Sequence, residues 1–278
     1  MTYKRILTIQ DISCVGQCST TVALPVLSAC GYETCILPTA LLSTHTGGFG
    51  TPSIVHFENA LEQFRRHWQE NHITFDAVLV GYLGSPGAVE TTAEILDSMV
   101  APGGLRIVDP AMGDNGKLYS GFDDSYVRSI RELIQRADII LPNLTEAALL
   151  TGLPFREDPN EKDINELLDA LDHPCALLTG VCPRSGETGF VLRSAGRQDS
   201  YFHRRIGQSR SGTGDIFAAA FAGALLREKS LYDAARIAAD FTCLCVENTE
   251  RLSSHWYGLA FEPVLPKLMG MLKEPPSA

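Results

Sequence analysis

The sequence predicts an α/β protein in which a central, mostly parallel β-sheet lies between two layers of helices, a three-layer αβα sandwich. Short β-rich runs alternate with helical patterns along most of the 278 residues. Several of the runs are almost entirely apolar, as central parallel strands buried on both faces are. No repeat and no long Pro/Gly/Ser-rich linker interrupts the chain, so we expect residues 1–278 to form a single domain.

Each element is predicted from its periodicity and from the turn residues at its ends. The predicted strands are 5–10, 34–37, 77–81, 106–108, 139–141, 176–179 and 189–192. The predicted helices are 20–29, 57–71, 89–100, 123–136, 145–150, 164–171, 214–228, 231–248 and 262–272. In open α/β sheets ligands bind beyond the carboxyl ends of the strands, so the segments that follow the strands are where function is expected.

Composition excludes some classes of function. The chain is 45% hydrophobic and 20% charged, which is typical of a globular enzyme, and its formal net charge of −10 argues against a nucleic-acid partner. The apolar run in the first ten residues is too short for a signal peptide or a membrane span, so we expect a cytoplasmic protein without a membrane partner.

The cysteines and histidines give little sign of a metal or disulfide framework. The eight cysteines occur in ordinary element sequence, and we expect reduced thiols. Cys182, in a Gly/Pro-rich loop after a predicted strand, is the thiol expected to come closest to a ligand. The seven histidines are scattered, without a pair on one helical face, and no P-loop motif is present.

The strongest motif is the run from Ser211 to Phe217, Ser-Gly-Thr-Gly-Asp-Ile-Phe, followed by a helix of small residues. A glycine-flanked turn that opens a helix offers unpaired N–H groups and the positive end of the helix dipole to an anion. Asp215, in the first turn, could be merely a helix cap. The glycines on both sides of Thr213 go beyond what a cap needs and favour an anion site.

Two further motifs follow apolar strands. Asn143 and Glu146, in Pro-Asn-Leu-Thr-Glu, have the spacing of a capping box, and the residues alone leave a helix start and a metal-binding role equally open. Asp109 and Asp114 begin and end Asp-Pro-Ala-Met-Gly-Asp, and Tyr119 lies in the loop beyond. This segment could be a turn, but two acids beside an anion site favour a role near magnesium or phosphate.

A fourth set of segments suggests the pocket for a substrate. Gln10 and Asp11 are predicted to end the first strand, 43–47 (Ser-Thr-His-Thr-Gly) follows the second and 81–85 (Gly-Tyr-Leu-Gly-Ser) follows the third. Each is a polar turn in isolation. An aromatic face with a few directed polar groups is what a flat heterocycle requires. The glycine-rich 47–50 is either a flap over this pocket or a simple connection.

Together these motifs resemble the ribokinase superfamily, in its vitamin B6 kinase branch, over nearly the whole chain. The resemblance implies that Gly212, Thr213 and Gly214 form an anion hole and that Asp215 is the catalytic base. It implies that Glu146, with Asn143, helps to place magnesium, and that Asp109, Asp114 and Tyr119 lie at the ATP phosphates, Asp109 also at the metal. These roles fit phosphoryl transfer, which depends mainly on positioning and charge stabilisation.

The resemblance also implies the substrate contacts and the partners. Ser43, His45, Thr46, Gly47 and Tyr82 would line a pyridine pocket and bind a B6 vitamer, together with Asp11 and Asp215. Thr179, the loop 205–208 and the helix 231–248 would approach the nucleotide. The implied cofactors are ATP and Mg²⁺, with a monovalent cation, K⁺, as a further one. The implied assembly is a homodimer.

Asp11 departs from the B6 kinases, which usually carry Ser-His where this chain has Asp11-Ile12. An acid there could bind the amine of pyridoxamine, so a preference for pyridoxamine is a hypothesis. The alternatives are hydroxymethylpyrimidine kinase of thiamine synthesis, whose members usually have Cys in place of Asp215, and a non-catalytic B6 sensor on the same fold.

Overall fold

The computed structural model describes residues 3–207, 210–252 and 254–273. Its strands are β1 (Arg5–Ser13), β2 (Glu33–Leu42), β3 (Ile54–His56), β4 (Phe75–Val80), β5 (Val100–Val108), β6 (Gly113–Asp114), β7 (Lys117–Leu118), β8 (Ile139–Ile140), β9 (Cys175–Val181), β10 (Glu187–Ser194) and β11 (Arg197–Arg204). Its α-helices are α1 (Thr20–Ala29), α2 (Glu58–Glu70), α3 (Pro86–Ser98), α4 (Asp124–Ile134), α5 (Leu144–Thr151), α6 (Glu161–Leu171), α7 (Thr213–Leu226), α8 (Leu231–Glu250) and α9 (Leu265–Met271), with a 3₁₀ turn over Glu262–Val264.

The main sheet confirms the predicted fold class. Its strand order is β11-β10-β9-β8-β5-β4-β1-β2-β3. The six strands from β9 to β2 pair in parallel, whereas β3, β10 and β11 pair antiparallel with their neighbours. The carboxyl ends of the parallel strands therefore meet at one edge of the sheet, where the predicted motifs are found.

Helices cover both faces of the sheet, and alternate strand residues divide between two hydrophobic cores. One core contains Ile6, Ala77 and side chains of α1, α7, α8 and α9. The other contains Leu7, Val78 and side chains of α2 to α6. This alternation follows from the two-residue period of a strand and accounts for the nearly continuous apolar strand sequences.

The structure corrects some predicted boundaries. Gln10 and Asp11 do not end β1, because the strand continues to Ser13 after a register shift that pairs Ile12 with Leu41. Helix α3 ends at Ser98, and Val100, predicted to be helical, opens β5. All eight cysteines have free thiols. None of the described helices combines the length and apolar character that crossing a bilayer requires.

Candidate active site

The N-terminus of α7 presents an open turn. Gly212, at the N-cap, has φ 87° and contributes no side-chain cap, so the first N–H groups of α7 lack partners within the helix. A Cβ on Gly212 would lie 2.5 Å from the carbonyl oxygen of Gln17, so only glycine fits there. The Thr213 hydroxyl donates to the Arg210 carbonyl at 3.0 Å and steadies the turn. The turn can therefore receive an anion.

Asp215 lies in the first turn of α7, as predicted, and Asp109 lies beside that turn. One oxygen of Asp109 is 3.9 Å from the position of a Cβ on Gly214. Burial raises the pKa of Asp109 to about 8, with a further increase from the charge of Asp215. Burial also raises the pKa of Asp215 to about 6, although the N–H of Ser19 hydrogen-bonds the carboxylate and opposes this rise. An acid with a pKa near neutrality is suited to exchange protons with a substrate.

Asn143 and Glu146 form a complete capping box at the start of α5. Glu146 Oε2 accepts the N–H of Asn143 at 2.8 Å, and Oε1 accepts the N–H of Met112 at 3.2 Å. The Asn143 amide donates to the Gly113 carbonyl at 3.0 Å. Glu146 thus joins the end of β8 to the segment after β5, so the capping interpretation describes its contacts in this structure.

The three acids nevertheless form a chain of like charges. Burial, and then the charge of Asp109, raise the pKa of Glu146 well above its usual value. Asp109 is influenced in the same way by Asp215. Within residues 3–207, 210–252 and 254–273, no group of three or more His, Cys, Asp or Glu residues has the arrangement of a metal site. The carboxyl groups of Asp109 and Glu146 are oxygen donors of the kind that Mg²⁺ takes together with water and phosphate oxygens.

The other residues predicted at the nucleotide lie around these acids. Tyr119 donates its N–H to the Met112 carbonyl at 2.9 Å and is 40% exposed. Partial desolvation and then the charges of Glu146, Asp114 and Asp109 raise the pKa of its hydroxyl. Asp114 lies in the β6–β7 hairpin, where it accepts the N–H of Asn115 at 2.8 Å. Thr179, in β9, bridges to Asn143 and donates its N–H to the Pro142 carbonyl at 2.9 Å.

Few contacts describe the other segments that were predicted to approach the nucleotide or a ligand. Gln208, in the predicted loop 205–208, lies outside the described residues. Helix α8 packs into the core that also contains α7. Cys182 is half-buried and its thiol points to the Gly180 carbonyl at 3.6 Å.

Asp11 and Tyr82 lie together on the substrate side. Asp11 is buried, accepts the hydroxyl of Ser13 at 3.0 Å, and has its pKa raised by burial. Burial and the charge of Asp11 raise the pKa of Tyr82. The Tyr82 ring lies 5.4 Å from Phe122 and 6.5 Å from Tyr119, measured between centroids. An acid thus lies near a group of aromatic rings, and their contact with a substrate stays a prediction.

The 43–47 segment leads into the glycine-rich segment 47–50, the predicted flap, which is called the flap below. His45 is buried and accepts the N–H of Gly47 at 2.9 Å, while its Nε2 has no hydrogen-bond partner among the described residues. Ser43 accepts the N–H of Ser53 at 3.0 Å and fixes the base of the segment. A Cβ on Gly47 would lie 2.8 Å from the Ser211 hydroxyl, so the flap lies directly against the anion turn. Thr46 is exposed.

The sequence did not single out two contributors to this region. Ser19 is buried and bridges to Ile12 of β1, the residue after Asp11. Trp256 packs on Phe49 of the flap, with ring centroids 4.6 Å apart. No motif marks either residue, because both reach the site through long-range packing. The glycine and polar residues of 16–19 were the available signal for a tight loop beside the site.

The chain is similar to known proteins in both sequence and structure. The model of the phosphomethylpyrimidine kinase family matches residues 24–259. The pyridoxine/pyridoxal/pyridoxamine kinase of Bordetella avium is 30% identical, over 81% of this chain and 79% of its own length. The pyridoxal kinase of Lactobacillus plantarum superposes with a TM-score of 0.91 at 36% identity, over 99% of this chain and 100% of that one.

A second solved structure connects the phosphomethylpyrimidine kinase name with pyridoxal. A Bacteroides thetaiotaomicron protein assigned as a phosphomethylpyrimidine kinase, solved with pyridoxal, has a TM-score of 0.91 and 31% identity, over 96% of each chain. Relatives from Schizosaccharomyces pombe and Arabidopsis thaliana match over only 50% and 58% of their own lengths. The chain therefore spans between half and three fifths of these two curated relatives.

Proposed function

We propose, on the basis that this chain belongs to the phosphomethylpyrimidine kinase family, that it uses ATP to phosphorylate the 5′-hydroxymethyl group of a vitamin B6 vitamer. The observation that carries the proposal is the position of Asp215 in the open first turn of α7, within the influence of Asp11. In this proposal the base Asp215 and the anion turn of α7 adjoin the substrate residues Asp11 and Tyr82. The names of the B. avium and L. plantarum relatives support the B6 substrate.

The mechanism follows from these positions. Asp215 orients the hydroxymethyl group and takes its proton as the oxygen attacks the γ-phosphorus of ATP in line. The bond from the γ-phosphorus to the β–γ bridging oxygen breaks, and ADP leaves. The N–H groups of Gly212, Thr213 and Gly214 stabilise the negative charge that develops on the transferred group. The flap excludes water from the reacting atoms, since Gly47 lies against Ser211. Ser43, His45, Thr46 and Tyr82 hold the ring.

Bound Mg²⁺ would neutralise charge on the ATP phosphates. Asp109 would hold the ion directly, and Glu146 would act through water because its oxygens already accept N–H groups. Asp114, Tyr119 and Thr179 would complete the phosphate and nucleotide contacts. A requirement for K⁺, a homodimeric assembly and a cytoplasmic location belong to the same proposal and rest on the family resemblance.

Hydroxymethylpyrimidine kinase is the second candidate, because the matching family is named after another kinase of a methylpyrimidine, phosphomethylpyrimidine kinase. The two substrates are both flat heterocycles with a hydroxymethyl group, so the pocket admits either in principle. Asp215 favours the B6 kinase, since the pyrimidine kinases that this chain resembles usually have Cys at that position. A sensor without activity is disfavoured, because a base beside an anion hole serves no purpose in simple binding.

The test is a product assay. The purified protein is incubated with Mg-ATP and, separately, with pyridoxal, pyridoxine, pyridoxamine and hydroxymethylpyrimidine, and phosphorylated products are measured by mass spectrometry. We expect product from at least one vitamer, with pyridoxamine the preferred substrate if Asp11 binds its amine. Product from hydroxymethylpyrimidine alone would move the protein to the second candidate, and no product from any of them would contradict both.

A further inference from the structure

Arg210 directly precedes the anion turn of α7 (211–214), and its guanidinium group joins two other segments of the chain. Nε and Nη2 donate to one carboxylate oxygen of Glu250 at 3.1 and 2.8 Å, and Nη1 donates to the His255 carbonyl at 2.8 Å. The Arg210 carbonyl accepts the hydroxyl of Thr213 at 3.0 Å. One residue thus contacts the last residue of α8, the loop beyond α8 and the anion turn.

The guanidinium group of Arg210 is held firmly by protein groups. Its side chain is 17% exposed and all three of its nitrogens have partners, so its charge is directed to Glu250 and not left for a phosphate. Gly207 packs against the same carboxylate, because a Cβ there would lie 2.5 Å from the oxygen that Arg210 binds. Two charge-assisted hydrogen bonds and close packing therefore fix the position of this pair.

The loop that Arg210 contacts is also the loop that packs on the flap. His255 is followed by Trp256 and Tyr257, whose rings lie 4.6 and 5.3 Å from the ring of Phe49, measured between centroids. The hydrogen bond from Arg210 to the His255 carbonyl comes directly before these two aromatic residues. Arg210 therefore connects the anion turn, through this loop, to the flap.

We propose that Arg210 is a positioning residue, which holds the anion turn and the 255–257 loop in the relative arrangement that phosphoryl transfer requires. The inference rests on the proposed function, because that function assigns the transferred phosphoryl group to the turn and the exclusion of water to the flap. The rate of such a reaction depends strongly on position, and a displacement of about 1 Å can cost about a hundredfold. A planar guanidinium group, whose donors point in fixed directions, is suited to this task.

Arg210→Gln tests the proposal, because it removes the charge and the bonds to Glu250 and His255 but keeps a polar side chain. We expect kcat to fall about tenfold, while the KM for ATP changes by less than about twofold. Glu250→Gln should also lower kcat, and the double variant should have the kcat of Arg210→Gln alone, since both changes break the same pair. A raised KM for ATP in Arg210→Gln, with an unchanged kcat in Glu250→Gln, would mean that Arg210 binds phosphate directly and would overturn the proposal.

Arg193→Gln is the matched control. Arg193 is a partly buried arginine that also bonds several side chains, those of Gln198, Asn165 and Asp169. It pairs with Ala176 near the amino end of β9, at the opposite edge of the sheet from the candidate site. We expect Arg193→Gln to lose stability to an extent similar to Arg210→Gln, because each breaks a partly exposed ion pair, but to keep the kcat of the unmodified enzyme. An equal loss of kcat in the two variants would overturn the proposal.

Hydrogen exchange without substrate distinguishes failure of this inference from failure of the proposed function. Measured by mass spectrometry, exchange should become faster in Arg210→Gln both at the start of α7, 213–219, and in 254–261, which contains the loop, and should stay unchanged there in Arg193→Gln. Unchanged exchange in either segment of Arg210→Gln, or an unchanged kcat, would overturn the proposal. Faster exchange in both segments of a protein that phosphorylates none of the substrates would support the connection and refute only the proposed function. Should Arg210→Gln fail to fold, Glu250→Gln gives the same comparison.

Discussion

At the scale of single residues, the candidate site, as far as the structure describes it, contains buried acids that no neighbouring cation balances. Burial and mutual repulsion, with no cation among the influences on Asp109 or Glu146, raise the pKa of both carboxyl groups. Structural acids are more often paired with Arg or Lys. A buried acidic group of this kind is suited to a positively charged ligand, or to a proton that moves during the reaction.

The first prediction concerns the base. Asp215→Asn preserves the size and polarity of the side chain but removes its ability to take a proton. We expect kcat to fall by at least about a hundredfold, while the KM values for ATP and vitamer change little. Steady-state kinetics measure both effects. Asp97→Asn, which breaks the exposed pair with Arg136, is the control and should retain full activity. Near-full turnover by Asp215→Asn would show that another group is the base.

The second prediction concerns stability and pH. The pKa of Asp109 is about 8 in the folded protein against an ordinary value of 3.8, so the folded state binds this proton more tightly than the unfolded state. The contribution of Asp109 to stability is therefore present at low pH and is lost as the pH rises from about 4 to about 8. We expect Asp109→Asn to be more stable than the unmodified protein at about pH 8, and this advantage to shrink towards about pH 5.

Thermal unfolding without ligands measures the difference. Asp123→Asn tests the sign, because hydrogen bonds from Ser125 lower the pKa of Asp123. In that case the advantage of the unmodified protein should decline as the pH falls. An Asp109→Asn difference that is constant between about pH 5 and about pH 8 would be incompatible with a raised pKa.

Residues within strong local motifs could be located from the sequence, and residues without one could not. Asp215 was correctly placed in the first turn of a helix, because Gly-Thr-Gly-Asp marks that turn by itself. The contacts of Glu146 were open between a cap and a metal role, since both follow from the same spacing. Ser19 could not be assigned, because its place beside Ile12 depends on how β1 and the start of α1 pack together.

At the scale of elements, the open turn of α7 is made by the conformation of the backbone and not by a side chain. Its N–H groups are available because Gly212 has a left-handed conformation that no side chain caps in the described structure. The same glycine lies against the Gln17 carbonyl. The proposed anion site therefore depends on a close approach between the loop at Gly212 and the loop at Gln17, which are far apart in the sequence.

The third prediction follows from this approach. Gly212→Ala introduces a Cβ 2.5 Å from the Gln17 carbonyl oxygen at a positive φ, so one of the two loops must move. We expect a loss of stability of about 1–3 kcal/mol and a lower kcat, measured by denaturation and by turnover. Gly270→Ala is the control, since a Cβ there meets no atom within 4 Å. Inside α9 it should leave kcat unchanged and stabilise the protein slightly, because alanine favours a helix over glycine. Equal effects of the two substitutions would contradict the assigned role of the turn.

The elements that were predicted are those that the local sequence specifies. All seven predicted strands and nine predicted helices are found, because their apolar patterns or their caps are strong. The strands that were missed are β3, β6, β7 and β11. Strands β3, β6 and β7 have only two or three residues, and β11, with the polar sequence Arg-Gln-Asp-Ser-Tyr-Phe-His-Arg, is an edge strand with one paired side. Pairing with a neighbour, which sequence periodicity does not encode, makes them strands.

At the scale of the whole molecule, strand order brings distant segments to one place. β1 lies beside both β2 and β4, and β4 lies beside β5, so the ends of strands from the first 108 residues adjoin one another. The segment after β8 and the start of α7 complete the same edge. A single sheet between two cores thus fixes all the groups of the site relative to one another, which phosphoryl transfer requires because it depends on positioning.

The fourth prediction uses the two tryptophans of the chain. Trp68 packs on Phe75, with ring centroids 5.6 Å apart, in the core beneath α2, whereas Trp256 is 55% exposed and lies on Phe49 of the flap. In Trp68→Phe the remaining indole emission should change in wavelength or intensity as a vitamer is added. Trp256→Phe should show no such change, and an unresponsive Trp68→Phe variant would mean that the flap does not move on binding.

Because Trp256 packs on Phe49, its intrinsic fluorescence can serve as a probe of the flap. An indole whose solvation depends on Phe49 converts motion of the flap into a spectroscopic signal, without an attached label. Rapid mixing would then time flap closure separately from product formation, and would show which of the two limits the rate of turnover.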